Sequence, residues 1–232
     1  MSEKLKNYGI ILASGIGSRY SSDIPKQFVK IAGKTVLEHT LDVFENSLYI
    51  DEIILVITPD YRHVAEGILL KNNYKKISKL LNGGETRKES SSIAIHSIED
   101  EEANVLIHDC ARPFVSQRII KDCVEALKTY QAVDVAIPCT DTVIKVKDGI
   151  IENIPNRHEL MCSQTPQCFK LSLIKKVHKL SEKDNTFTDD CSIIMKYNPA
   201  DIYIVTGEAE NIKITYPDDI YIAEQILNKK NL

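Results

Sequence analysis

The stretch YGIILASGIGSRYSSDIPKQF, residues Tyr8–Phe28, decides how this chain is read. Tyr8–Leu12 is a short apolar run bounded by glycine, which predicts a buried strand. It runs into Gly15-Ile16-Gly17, and Arg19, Pro25 and Lys26 follow closely. A dinucleotide-binding fingerprint needs a third glycine where Tyr20 stands. A Walker loop needs GxxxxGK[ST], which is missing, and Ser14 falls one place early for a GxSxG hydrolase elbow. The remaining possibilities are a plain tight turn and an anion cradle. In the cradle, backbone N–H groups meet phosphate oxygens while Arg19 and Lys26 neutralise them, and Pro25 fixes the backbone beside Lys26.

Outward from this loop, the pattern alternates. Thr35–Asn46 carries Val36, Leu37, Leu41 and Phe44 on one helical face. Asp51–Pro59 reads as a strand stopped by proline, residues 61–73 as a helix, and residues 76–84 as a strand ending in a glycine pair. Residues 86–98 read as a helix with Ile93, Ile95 and Ile98 among its apolar positions, and Ala103–Asp109 as another buried strand. Residues 116–130 form a further helix with Ser116 as N-cap, followed by the strand Ala132–Pro138. Strand and helix in turn predict an α/β fold: a mainly parallel sheet covered on both faces. The end of the chain continues the pattern. A helix from Thr188, with Thr188 as its cap, precedes a strand at 201–207. A strand at Asn211–Thr215 then leads into a last helix with Pro217 near its start.

Between these parts, residues 141–156 alternate apolar and polar residues on both sides of Asp148-Gly149, a strong hairpin signal. A lone two-stranded hairpin is marginal in water. It is therefore expected to be an arm that packs on another subunit, the alternative being the edge of its own domain. No repeat or linker is visible, so the chain is read as one domain, 1–232, with an arm at about 141–163.

Composition narrows the partners. Of 232 residues 43% are hydrophobic and 27% charged, with a net charge of −4, which argues against a nucleic-acid or membrane-surface partner. Clusters of Lys and Arg must then be local and aimed at something small and anionic. The six cysteines show neither CxxC nor zinc-finger spacing, Met1–Gly9 has no apolar signal core, and no run approaches ~20 apolar residues. A reduced, cytoplasmic protein with mostly core cysteines is expected.

Further clusters lie where α/β sheets bind ligands, beyond strand C-termini. Gly83-Gly84 allows close backbone approach. His108, Asp109 and Arg112 leave one strand, Asp109 and Arg112 also being a candidate structural ion pair. Arg157 is either functional or a solvated arm residue, and Lys213, placed in an apolar strand, needs an anion.

Taken in order, LASGIGSRY, PKQF, GGETRKESS, HDCARPF, DTVIK, NRHEL, QTPQCF, FTDD and NIKIT resemble the cytidylyltransferases that act on sugar-alcohol phosphates. Two branches are relevant, one acting on 2-C-methyl-D-erythritol 4-phosphate and one on D-ribitol 5-phosphate. The resemblance implies a three-layer, Rossmann-like nucleotidyltransferase fold with a protruding β-hairpin dimerisation arm. It implies that Arg19 and Lys26 stand over the triphosphate. Leu12, Ala13, Ser14, Gly15 and Gly17, together with Gly83, Gly84, Glu85, Thr86, Arg87 and Ser90, would form the CTP loops, with Cys110 at a nucleotide contact. Cytosine selection falls to Gly83, Gly84 and Ser90. Arg157 and Lys213 would place the acceptor phosphate, and Asp109, Arg112, Thr142, Thr188 and Thr215 would line the acceptor site. Arg157 and the region of Thr188 would reach the neighbouring subunit's site in a homodimer with shared active sites. Ser14 stands where the family usually has Ala or Gly and is expected to crowd the loop slightly.

The implied reaction joins CTP and an alditol phosphate, with ribitol 5-phosphate the preferred acceptor and methylerythritol 4-phosphate the alternative. The nucleophile is a phosphate oxygen whose second pKa is about 6, so no general base is required. Mg²⁺ is expected mainly on the substrates, and no protein metal ligand is assigned. A nicotinamide oxidoreductase would need the missing third glycine and a ribose-binding acid; Glu38 lies near the right distance but on the face of an early helix. A non-catalytic nucleotide-binding dimer would have no use for an acceptor-aligning pair.

Overall fold

The computed structural model describes residues 5–15, 24–100, 102–184, 186–197 and 199–230. β1 (Lys6–Ala13) is buried on both faces beyond its first residue. After it come two short strands, β2 (Lys30–Ile31) and β3 (Lys34–Thr35), which pair with each other. α1 (Val36–Glu45) follows, then β4 (Glu52–Ile57), α2 (Arg62–Asn72), β5 (Ile77–Asn82) and α3 (Arg87–His96). β6 (Ala103–Asp109), α4 (Gln117–Ala126) and β7 (Ala132–Pro138) complete the alternating part. The arm holds β8 (Lys145–Lys147) and β9 (Ile150–Asn153). The chain returns through β10 (Met161–Ser163), β11 (Gln167–Lys170), α5 (Leu171–Leu180), α6 (Asp190–Tyr197), β12 (Ile202–Thr206) and α7 (Asp219–Lys230).

The sheet runs β5-β4-β1-β6-β11-β7-β12, with β10 also on β7. β1 pairs in parallel with β4 and β6, β4 with β5, and β7 with β12. β11 is antiparallel to both β6 and β7. From β1 the chain first builds one side of the sheet (β4, β5) and then the other (β6). The strand order therefore reverses between β1 and β6, where open α/β sheets place their ligands.

Side-chain alternation divides the core between two faces. On β1, Ile11 and Ala13 join Leu37, Leu41 and Phe44 of α1 and Ile119 and Ile120 of α4. Tyr8, Ile10 and Leu12 join Ile95 of α3, Ile174 of α5 and Ile194 of α6. The expected three layers are present. Gly9 lets Phe44 lie against the sheet: a Cβ there would stand 2.6 Å from Phe44 Cδ1. α1 opens with a reciprocal cap in which Thr35 Oγ1 accepts from Glu38 N–H while Glu38 accepts from Thr35 N–H.

The hairpin turn forms as expected. Asp148 (φ 52°) and Gly149 (φ 79°) both take the left-handed conformation that a two-residue turn between twisted strands requires. Other expectations are corrected. Residues 211–215 are not a strand: Ile214 is buried and its N–H donates to Ala111 O (2.8 Å), but no ladder forms. Ile93 faces out, 40% exposed. α6 is capped by Asp189, whose carboxylate accepts from Ser192 N–H (2.8 Å), whereas Thr188 is exposed one residue before it. The elements missed in the sequence are the two-residue strands β2 and β3, the short antiparallel β10 and β11, and the helix α5. Four cysteines are buried, Cys139 is half-buried and Cys162 exposed. Among the described residues, no helix is long and apolar enough to cross a membrane.

Candidate active site

A cleft of about 510 Å³ opens beyond the C-terminal ends of β1 and β6. Leu12, Ala13, Ser14 and Gly15 form one wall, Gly84, Glu85, Thr86 and Arg87 a second, and Asp109 and Cys110 the floor. Lys26, Lys213 and Thr215 close the remaining side. Thirteen of the expected site residues thus meet in one place. Gln27, Thr58, Pro59 and Ala111 line it too and were not singled out in the sequence.

Each wall is fixed from below. Pro25 leads into a one-turn 3-10 helix, Lys26–Phe28, with its φ at −56°. Phe28 stacks on Tyr61 with ring centroids 5.3 Å apart, and Gln27 Nε2 donates to Ala13 O (2.8 Å). Lys26 is thereby set beside the end of β1, and its Nζ donates to Ile214 O (2.9 Å). Thr58 Oγ1 donates to Ser14 O (2.7 Å), and Cys110 N–H donates to Leu12 O (3.0 Å).

Ser14 does not crowd the loop. Its hydroxyl lies 2.7 Å from Ser90 Oγ. Ser90 donates to Thr86 O (3.0 Å) and accepts from Gly84 N–H (3.2 Å), so the Ser14 hydroxyl donates to it. Gly83 makes the room, since a Cβ there would collide with the Ser14 side chain. Gly83 and Ser90 accordingly back the cleft and do not line it. Thr86 caps α3 by accepting from Glu89 N–H (3.1 Å), which aims that helix start at the cleft.

The floor is ionic. Asp109 accepts from Arg87 Nε (3.0 Å) and from Lys213 Nζ (2.6 Å). Burial alone would raise its carboxyl, but the two cations outweigh burial and hold it well below the usual carboxylate range. Arg87, whose backbone lies with the expected CTP loop, turns its guanidinium away from that wall into the floor: Nη1 donates to Asp190 Oδ2 (2.7 Å), and Nη2 is buried with no hydrogen-bond partner among the described residues. Asp190 accepts from Ser91 Oγ (2.7 Å) and His178 Nε2 (2.9 Å). Burial pushes its carboxyl up, but Arg87 and His178 bring it down to about 2. Arg112 is not the ion-pair partner of Asp109. Its guanidinium donates to Asn211 O (2.8 Å) and Ser163 O (3.3 Å), bracing the 211–215 loop and the end of β10 behind the floor.

His108 is buried and held neutral. Thr165 Oγ1 accepts from Asp109 N–H (3.2 Å) and so donates its own proton to His108 Nδ1 (2.9 Å). Nε2–H then donates to Arg112 O (2.9 Å). Burial lowers this imidazole to about 4. Burial likewise pushes the Cys110 thiol up to about 12, so it packs and does not attack.

Lys213 does find its anion, though in a loop and not in a strand. It is held between Asn211, whose Nδ2 donates to Thr165 O (2.9 Å), and buried Ile214. Arg157 and Thr142 lie on the arm and Thr188 beside α6, all three exposed and outside the cleft of their own chain. Arg19 and Gly17 lie outside the described residues. Glu38, the acid a dinucleotide site would need, has both oxygens engaged, by Thr35, Lys71 and Asn72.

Residues 8–229 match the family described as IspD: 2-C-methyl-D-erythritol 4-phosphate cytidylyltransferase. The chain belongs to the IspD family. It is 43% identical to the Haemophilus influenzae bifunctional ribulose 5-phosphate reductase/CDP-ribitol pyrophosphorylase Bcs1, over 98% of this chain but only 49% of that protein. It therefore spans about half the length of that relative. It is 39% identical to a 2-C-methyl-D-erythritol 4-phosphate cytidylyltransferase of Thermobifida fusca, over 94% of this chain and 91% of that one. Among solved structures, 4-diphosphocytidyl-2C-methyl-D-erythritol synthase from Anaerococcus prevotii superposes with a TM-score of 0.85. The identity is 31%, and 97% of this chain and 96% of that one are covered. As a member of the IspD family, the chain carries the nucleotidyltransferase form of the α/β sheet, and its cleft sits at the β1/β6 reversal.

Proposed function

We propose that this chain, as one nucleotidyltransferase domain, transfers CMP from CTP to a sugar-alcohol phosphate, forming a CDP-alditol and releasing pyrophosphate. The observation that carries the reading is one cleft with Lys26 on one side and the Lys213–Asp109–Arg87 group on the other. Two polyanions can meet there only if their charge is neutralised, and the chain offers cations for each. A phosphate monoester is already ionised at neutral pH. The absence of a paired base and nucleophile among the lining residues is consistent with that chemistry. Lys26, with Arg19, holds the triphosphate as the acceptor oxygen attacks the α-phosphorus, and Lys213 orients the acceptor phosphate.

Magnesium enters with the triphosphate and supplies further charge neutralisation. The donor set fits this role. Both oxygens of Asp109 are engaged by cations, and no cluster of three metal-ligating side chains occurs among the described residues.

The arm supports a homodimer with shared sites. Val146, Ile150, Ile151 and Ile154 are each more than half exposed, an apolar surface that water disfavours and a second copy would cover. Arg157 at its base would then serve the neighbouring site.

For the acceptor we propose D-ribitol 5-phosphate, supported by the 43% identity to the Haemophilus protein. The second reading is 2-C-methyl-D-erythritol 4-phosphate, supported by the family match and by relatives of that name at 39% and 40% identity. The deciding experiment measures pyrophosphate release from CTP and Mg²⁺ with ribitol 5-phosphate, methylerythritol 4-phosphate and glycerol 3-phosphate. Faster turnover of methylerythritol 4-phosphate reverses the acceptor assignment, and no release with any of the three ends the transferase proposal.

A further inference from the structure

Asp190 sits on α6, is fully buried, and does not line the cleft. Four groups fix it in place. Ser91 Oγ of α3 and His178 Nε2 of α5 both donate to Oδ1, its own N–H donates to Gln167 Oε1 of β11 (3.0 Å), and Arg87 Nη1 donates to Oδ2. Because a carboxylate only accepts, His178 carries its proton on Nε2. Arg87 then spans from this fixed point to Asp109, and Asp109 reaches Lys213. Two carboxylates and two cations make a neutral chain of charges, complete in the free protein, as a poorly solvated site requires.

We infer that Asp190 is a positioning residue for the acceptor half of the site, acting through Arg87 on Asp109 and Lys213. This rests on the transferase reading above. An arriving phosphate must draw Lys213 away from Asp109, because an ammonium held at 2.6 Å by one anion is shared with the next. Asp109 then depends on Arg87 alone to stay ionised and in place, its Oδ2 freed to accept a hydroxyl of the alditol. Arg87 can remain there only if something other than Asp109 holds it, and that group is Asp190. Without this charge the guanidinium is free to follow the incoming phosphate, and Asp109 loses its remaining cation. The triphosphate side has no such dependence, since Lys26 is held through Gln27, Phe28 and Ile214.

The test is Asp190→Asn, which keeps the shape and removes the charge. The KM for the alditol phosphate is expected to rise about tenfold, the scale of one hydrogen bond to a charged group, with the KM for CTP changed less than about twofold. Ser91→Ala, which leaves the charge in place, should raise the acceptor KM only about threefold, and it is read in the same way should Asp190→Asn fail to fold. A second readout needs no turnover: with inorganic phosphate added, the Arg87 Nε–H signal in ¹⁵N-arginine NMR should stay exchange-protected in the wild type, where it is held to Asp109, and lose that protection in Asp190→Asn. Equal rises in both KM values, unchanged kinetics, or a protected Arg87 signal in the variant overturns the inference. A wild-type protein that releases no pyrophosphate with any acceptor defeats the transferase reading instead, and the Arg87 signal still judges the role of Asp190.

Discussion

Lys213 in the cleft pairs at 2.6 Å with a carboxylate whose side chain is 13% exposed, whereas Arg157 in the arm donates to a backbone carbonyl, Thr140 O, at 3.1 Å. Around Lys213, residues from β1, β6, α3 and the 211–215 loop hold one another. Around Arg157, every residue from 140 to 154 is exposed, the large apolar side chains by 40% to 73%. The described walls and floor of the cleft are held together within one chain. The arm has a well-formed turn and ladder but no core. Charge that must be aimed is surrounded by its own supports, while the arm presents apolar surface and the cations Lys145, Lys147 and Arg157 outward.

The largest expected effect falls on the cleft. Lys26→Ala should lower kcat at least ~100-fold in the pyrophosphate assay, the scale for loss of one preorganised donor in the transition state. Turnover close to wild type would remove Lys26 from the chemistry.

The arm is tested by mixing. Arg157→Ala should also be nearly inactive while leaving the melting temperature unchanged, because the side chain is exposed. Mixing Lys26→Ala and Arg157→Ala subunits should restore about a quarter of wild-type activity if arms cross between copies, since each mixed dimer then contains one intact site. No recovery after subunit exchange would confine each site to a single chain.

A smaller effect tests how tightly the cleft wall is packed. Gly83→Ala should cost ~1–3 kcal/mol by urea unfolding, because the new Cβ meets Ser14. Ser14→Gly in the same chain should recover much of that loss, and strict additivity of the two changes would refute the fit.

The smallest expected effect is on pH dependence. His108 falls from the ordinary 6.5 to about 4 in the fold, so the unfolded chain binds the extra proton between those values. Its contribution is complete above pH 6.5 and is lost as pH falls toward 4. Asp134, raised by burial from 3.8 to about 6, acts in the opposite sense over nearly the same range. The informative quantity is therefore the difference in stability between wild type and His108→Gln, which should narrow as pH drops from 6.5 to 4. A constant difference would mean that His108 is not held neutral.

The same contrast explains what the sequence revealed. β1, β4, β6 and β7 were legible because strands buried on both faces read as mainly apolar runs, and the arm turn because Asp-Gly supplies two left-handed residues. The Asn211–Thr215 segment misled because Ile212 and Ile214 alternate with polar residues, yet the burial of Ile214 comes from a loop folded over Ala111. β11 has only four residues, too few for a period to show, and its reversed direction depends on β6 and β7 lying ready on either side. The Arg87–Asp109 pair spans 22 residues and the Arg87–Asp190 pair 103, and no local pattern links such positions. The basic residues themselves stood out because a cation beside a glycine turn or between apolar residues has few other reasons to be there.

One consequence follows from where the arm is rooted. It leaves the end of β7 and returns along the same strand through β10, so it grows from a strand with neighbours on both sides. At its root Ser163 O accepts from Arg112, Gln164 Nε2 donates to Glu208 O (2.8 Å), and Thr165 Oγ1 accepts from the Asp109 N–H. The triplet Ser163–Thr165 is thus a shared mount: one side of it carries the arm, and the other meets Arg112, Asn211, His108 and the backbone of Asp109, the residue that grips Lys213.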